Sequence, residues 1–443
     1  MFDYFKISKF FLFIAPLAVV LVTISTLFPF IVGKYVWFRT TVDIALIFFL
    51  LGLLFRDKAG VIGRNLLAVL KRPLVIAVTA FVAAFLLAGL FGVNPANSFW
   101  SNFERGEGGF QILHLWFFFV LLVTLFEEER DWRRLFGWAI IGGVLSGLYG
   151  LLAALGVSKT IGPLFGDAGF RFSGSIGNPA YVAAYSIFLL FYVLYLLSAA
   201  YRRRLASAGA IALFIAGIGF LAMFFAAATR GAFLGLMAAV AAGLFYFMYA
   251  HASLRKWLLV AVAILVIGVG SFIYFKDTSF VKSIPGSRIF DISFTARTFE
   301  DRAIMWKIAW DGFKERPIFG WGPENYIQVF DRHFNTAYFR PSEGFGAWFD
   351  RAHSIYFDYL VETGLLGIIS FLGIFATFFW QLLRSMKISV SGSNSSFTNA
   401  LLLGVLLAYL VQGFALFDVL VIYINVFILL AFAAYVFQEK NAK

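Results

Sequence analysis

Apolar runs of about twenty residues recur along this chain with short polar breaks between them, and that pattern constrains the fold more than any other feature of the sequence. A helix needs about 20 such residues to cross the hydrocarbon core of a bilayer, where every backbone polar group must be bonded within the protein. About twelve stretches reach or approach that length, near residues 10–32, 41–55, 73–93, 110–126, 135–156, 179–199, 208–228, 231–250, 257–275, 354–380, 398–416 and 419–437. The pattern predicts an all-α polytopic membrane protein of about 12 transmembrane helices, with residues 1–443 forming a single membrane domain. Composition agrees, since 61% of the residues are hydrophobic and 14% charged, against about a quarter charged in soluble domains.

Orientation follows from where Lys and Arg collect in the short connections. Arg56, Lys58, Arg64, Lys71 and Arg72 form one basic group, followed by Arg130, Arg133 and Arg134, by Arg202 to Arg204, by Arg255 with Lys256, and by Arg384 with Lys387. The alternate connections hold few such residues: Lys34, Arg39, Arg105, Lys159, Arg171 and Arg230. Every second connection is therefore basic, which predicts an even number of spans with both termini inside. Residues 276–353 then form one long outer loop between spans 9 and 10, and its charges do not oppose this because long loops translocate regardless of charge. Lys6 and Lys9 before an apolar run resemble a signal peptide, but no small-x-small pattern follows, so the run reads as an uncleaved first span. Ser389 to Ser396 reads as an inner turn.

Several function classes drop out. The chain has no Cys, which removes thiolate chemistry and cysteine metal sites. Its four His are widely separated, so a histidine metal cluster is not expected. The formal charge of +12 fits topology and anionic membrane lipid better than nucleic acid, because no basic run with interleaved aromatics lies in a soluble domain. The 58 Phe, in runs such as Phe117 to Phe119, are assigned to bilayer contact.

Chemistry has few places to sit. His353 opens an apolar run, and a helical period would put His353, Leu360, Gly364 and Gly367 on one face. Small residues there would let another element pack closely. Arg105 lies among Asn, Trp and Gly. Arg171 precedes a Gly-rich turn at Asn178-Pro179, where Pro179 is placed to start a helix. Arg230, within Thr229-Arg230-Gly231, interrupts about forty apolar residues. Arg302 opens an amphipathic helix running through Phe313 and carrying Trp306 and Trp310, which ends at the Gly- and Pro-rich stretch 316–323. Singly, each Arg also suits a side chain snorkelling to headgroups or pairing locally, as Arg302 would with Glu300 or Asp301. Together, on the side of His353, they suggest a basic pocket for a phosphate or diphosphate, because the guanidinium fork matches phosphate oxygens.

The spacing His353-Ser354, nine residues, Gly364, two residues, Gly367 resembles the signature of the O-antigen ligase family. Arg171 with Gly174 and Asn178-Pro179, Thr229-Arg230-Gly231, Arg302 with Trp306, and Pro317 with Gly320 and Gly322 are similar to that superfamily, which includes O-antigen polymerases and protein O-oligosaccharyltransferases. The resemblance covers roughly residues 100–380 and leaves Arg105 outside any clear family pattern. It implies a metal-independent glycosyl transfer at the periplasmic face of the bacterial inner membrane, with no cofactor, from an undecaprenyl diphosphate carrier to an acceptor hydroxyl. His353 would activate the acceptor, and Arg302, Arg230, Arg171 and Arg105 would hold the donor diphosphate. The helix-packing residues would be Gly364 and Gly367. Neither Tyr356 nor Glu362, the candidates for orienting the His, shares its face. The complete His motif favours lipid A-core as acceptor, while a glycan or protein acceptor is the reading beside it. A transporter or lipid-linked glycan flippase would need ionisable residues at midspan, which are scarce here.

Overall fold

The computed structural model describes residues 3–55, 66–102, 104–156, 171–202, 208–284, 286–291, 297–338, 348–388 and 393–441. Among them the fold is all-helical. Ten helices are long and apolar enough to cross a membrane: α1 (Val32–Phe55), α2 (Pro73–Leu90), α4 (Glu129–Ala154), α5 (Pro179–Arg202), α6 (Ala208–Ala226), α7 (Arg230–Ala250), α8 (Arg255–Tyr274), α10 (Ile355–Ile388), α11 (Ser393–Gln412) and α12 (Leu420–Asn441). A shorter apolar helix, α3 (Gly109–Leu125), lies among them, and α9 (Arg297–Glu315) is the amphipathic helix of the long connection. This is a multi-pass membrane protein. The basic residues Arg56, Lys58, Arg64, Arg203 and Arg204, and Lys159, lie outside the described residues.

The first apolar run does not form one helix over 10–32. A helix over Tyr4–Ile14 passes into a 3-10 turn over Ala15–Val20, with Pro16 in its first turn, and Leu21 is extended. Thr23, Thr26 and Pro29 then close a turn through Thr23 N–H to Pro29 O (2.9 Å) and the Thr26 hydroxyl to Thr23 O (2.8 Å). Pro29 has no N–H to give a continuing helix. The following helix consequently begins at Val32, nine residues before the expected 41, and takes Lys34 and Arg39 out of the connection and into its first turns. Lys34 is buried and donates to Leu21 O (2.7 Å) and Ser175 O (2.8 Å). Arg39 donates to Gln111 Oε1 (2.8 Å) and Gly106 O (2.6 Å). Ser393–Ser396, expected in a turn, begin α11, and 389–392 lie outside the described residues.

Phenylalanine fills the bundle interior as well as its rim. Phe118 and Phe119 are fully buried. Phe118 meets Phe38 edge-on at 5.4 Å, and Phe119 meets Phe427 at 6.2 Å. Edge-to-face pairs of this kind supply dense packing where three helices converge, so the assignment of this run to lipid is corrected.

The sharpest departure from regularity lies in α10. It starts at Ile355, two residues after His353, and it breaks at Gly364, whose φ of 62° and ψ of −162° are non-helical. His353 therefore precedes the helix, and no single helical face carries His353, Leu360, Gly364 and Gly367. The segment Pro317–Gly322 fills the break. Trp321 and Gly322 N–H donate to Val361 and Glu362 O (2.9 and 2.8 Å), while Leu365 and Leu366 N–H donate to Pro317 and Ile318 O (2.8 and 3.2 Å). Gly364 is thus approached by a loop backbone rather than by a helix: a Cβ there would stand 2.4 Å from Ile318 O. Gly367 faces the Thr363 side chain of its own helix.

Gly364→Ala should destabilise the protein strongly, since a left-handed φ costs a residue with a Cβ about 1–2 kcal/mol even before the clash. Gly373→Ala, a helical site with nothing within 4 Å of a new Cβ, should be neutral or stabilising by up to about 1 kcal/mol. Thermal unfolding in detergent distinguishes the two.

Candidate functional site

Arg105, Arg171 and His353 lie in connections, Arg230 starts α7, and Arg302 lies in the second turn of α9. The break between α6 and α7 is the first part of the site. The chain leaves α6 at Ala226, passes Ala228 with φ 47°, and restarts at Arg230. Arg171 bridges the gap, donating from Nε and Nη2 to Ala227 O (3.1 and 2.9 Å) and from Nη2 to the Thr229 hydroxyl (2.9 Å). It thereby satisfies carbonyls that the end of α6 leaves open.

Arg171, Arg230 and Arg302 line one cavity of about 190 Å³, together with Thr229, Gly231, Ala232, Gln412 and a fourth guanidinium, Arg288. No carboxylate is among its described lining residues. Arg230 pairs at the edge with Asp291, which Lys276 also binds at 2.9 Å. Arg302 makes no hydrogen bond or ion pair among the described residues, so it does not take Glu300 or Asp301 as a local partner. Burial pushes the Arg302 and Arg171 guanidiniums down from their ordinary values, and the neighbouring Arg230 charge adds to this. Crowded like charges call for an anion. The start of α7 adds to the demand, since Thr229 gives no side-chain cap and the first external bond is Phe233 N–H to Thr229 O (3.0 Å). The N–H groups of residues 230–232 have no intrahelical partner, and these residues line the cavity.

His353 is the second part. It has a left-handed φ of 59° and stands edge-on between Phe349 (4.9 Å) and Phe417 (5.1 Å). Its Nδ1 lies 3.1 Å from Arg351 O. A carbonyl only accepts, so Nδ1 carries the proton and the neutral ring keeps its lone pair on Nε2. Burial first, then the Arg302 and Arg105 charges, hold the imidazole below its ordinary value, against the Arg351 carbonyl and Asp350. A neutral imidazole with an open acceptor nitrogen is able to take a proton at neutral pH.

Arg105 stands apart from the arginine-lined cavity. It binds Asp350 through two nitrogens (Nε 2.8 Å, Nη2 3.2 Å) and lies over Phe417 at 5.1 Å, the ring that also flanks His353. It lines a separate cavity of about 210 Å³ with Lys34, Tyr35, Glu107 and Tyr181. Tyr356 donates to Leu410 O (2.7 Å) and Glu362 binds Arg351, so neither of these touches His353.

Sequence reasoning passed over two elements. Arg288 sits in a short 3-10 helix (Ser287–Phe290) with no flanking motif to mark it. Arg351 is fully enclosed by three buried carboxylates: Nη1 donates to both Glu362 oxygens (3.0 and 3.2 Å), and Nη2 to Glu107 Oε2 (3.2 Å) and to Glu324. Its place two residues before His353 was the available signal. Burial, with the nearby Glu324 charge, raises the Glu107 carboxyl to about 8 against the pull of Arg351.

The Glu107 shift predicts a pH dependence. A carboxyl whose folded pKa lies above its unfolded value favours the folded state fully below the unfolded pKa, here 4.5, and loses that contribution as pH rises to about 8. Stability should fall across that window, and Glu107→Gln should flatten the fall; melting temperatures at pH 5 and pH 8 measure it.

A search among curated proteins returns no match. The family model described as O-Antigen ligase matches residues 215–372, the stretch that carries Arg230, Arg302, His353, Gly364 and Gly367. Over that stretch the chain is similar to the O-antigen ligase family.

Proposed function

We propose that the chain moves a glycan from an undecaprenyl diphosphate carrier to an acceptor hydroxyl, with lipid A-core as the acceptor and the reaction at the periplasmic face of the inner membrane. One observation carries this reading: a cavity walled by four guanidiniums and an uncapped helix start, with a neutral histidine within electrostatic reach of Arg302. In the transfer, the acceptor O–H gives its proton to His353 Nε2 as its oxygen bonds to the anomeric carbon. The bond from that carbon to the diphosphate breaks, and the leaving diphosphate takes the electron pair. Arg302, Arg230 and Arg288 meet the charge that grows on it, and Arg171 holds the cavity wall. Such electrostatic stabilisation is worth several kcal/mol. A guanidinium wall repels cations, so the reading is metal-independent. Arg105, tied to Asp350, acts on the donor only if the diphosphate or its sugar reaches past Phe417. A polymerase or protein O-oligosaccharyltransferase would share everything but the acceptor.

His353→Ala should abolish transfer while leaving binding of the lipid-linked donor intact; retained turnover would remove His353 from the role. Arg302→Ala should weaken donor binding by about 10-fold or more, as loss of a charged hydrogen bond worth about 1.5–3 kcal/mol requires. Arg302→Lys should rescue only in part, because it lacks the planar fork. Purified protein given the undecaprenyl-diphosphate glycan with lipid A-core, a peptide or no acceptor, in EDTA, reads the acceptor from the product, and inhibition by EDTA would count against a metal-free reaction.

A further inference from the structure

The Arg351 cluster has a geometry that stability alone does not account for. Its three carboxylates come from distant parts of the chain: Glu107 just before α3, Glu324 in the segment that follows Gly322, and Glu362 in the last turn before the Gly364 break. Glu324 itself sits in the left-handed region at φ 68°, and its N–H donates to Glu362 Oε1 (3.1 Å). Ser101 (2.6 Å, to Glu324) and Tyr35 (to Glu107) fasten the outer oxygens. One guanidinium faces three buried carboxyls, of which Glu107 is held protonated at neutral pH chiefly by burial. Buried ion pairs are often matched in stability by apolar residues, so a buried set of four ionisable groups is a costly way to hold a fold together.

What the cluster does achieve is to fix the Arg351 main chain. The Arg351 carbonyl is the partner of His353 Nδ1, and one residue further on Ala352 N–H is pinned to Asp358 Oδ1 (2.6 Å). His353 then takes a strained left-handed φ, a conformation that persists only where the surroundings over-determine it.

We propose that Arg351 is a positioning residue for His353: its guanidinium, held by Glu107, Glu324 and Glu362, fixes the carbonyl that captures Nδ1 and so leaves Nε2 as the ring's acceptor. Arg351 touches no substrate and acts only through the histidine. The inference rests on the reading of His353 as the base.

The test uses the full-length protein in nanodiscs with a polyprenyl-diphosphate-linked glycan as donor, and compares Arg351→Lys, Glu362→Gln and His353→Ala. For each, donor KM, kcat, melting temperature and the ¹⁵N shifts of His353, assigned by their loss in His353→Ala, are measured. Arg351→Lys and Glu362→Gln should keep donor KM within about twofold and lower kcat by about 10²-fold, the scale of a small misplacement of a reacting group. Their His353 signals should shift from the pure Nδ1–H tautomer to a mixture. Wild-type kcat in either folded variant, or a loss of kcat with the Nδ1–H tautomer intact, would overturn the proposal. Failure of both variants to fold would assign the cluster to stability and overturn it as well. Turnover in His353→Ala would instead sink the reading of the base, which separates the two failures.

Discussion

A helix that stops inside a packed bundle exposes carbonyls and amides that need partners, and this constraint governs the end of the bundle where Lys34, Arg171 and Gly364 lie. Three interruptions occur there, and each is mended by a residue or loop from another part of the chain. Lys34 takes up Leu21 O and Ser175 O beside the broken first span. Arg171 caps the gap at Ala227–Thr229. The segment Pro317–Gly322 splices the break at Gly364. Irregular backbone near a membrane is tolerated where it is enclosed by protein, and here the enclosing groups double as cavity walls. Arg171 shows the economy of this, since one guanidinium closes a helix end and lines the arginine cavity.

Charge is sorted as tightly as backbone. Arg171, Arg230, Arg288 and Arg302 share one cavity, with Asp291 taken by Arg230 and Lys276 at the margin. Glu107, Glu324 and Glu362 gather around Arg351 instead, and Asp350 binds Arg105. Burial, with the Arg302 and Arg105 charges, holds the His353 imidazole below its ordinary value against Asp350 and the Arg351 carbonyl.

The sequence made the membrane class legible because apolar run length is a one-dimensional property, and ten of the runs appear as long apolar helices. It pointed to Arg171, Arg230 and Arg302 because charges interrupting such runs stand out, and the structure brings these three together. It misread the first two spans because Pro16 and Pro29 redirect the chain inside an apolar stretch that hydropathy treats as continuous. The face assigned to His353 and Gly364 assumed an unbroken helix, whereas the positive φ at Gly364 depends on a loop about 45 residues earlier. Arg288 and Glu324 carry no local pattern. Their roles arise only from partners brought close in three dimensions.

The spacing of these partners along the chain also orders how the molecule is put together. The splice at Gly364 joins segments made close in time, so it can close as soon as α10 is inserted. The clamp on Arg351 and the bond from Arg105 to Asp350 reach back across 244 and 245 residues, to a part of the chain laid down before most of the helices. Contacts of such long range repay their loop-closure entropy only once the intervening chain is in place. The Arg351 carbonyl that holds His353 Nδ1 is therefore fixed late in assembly.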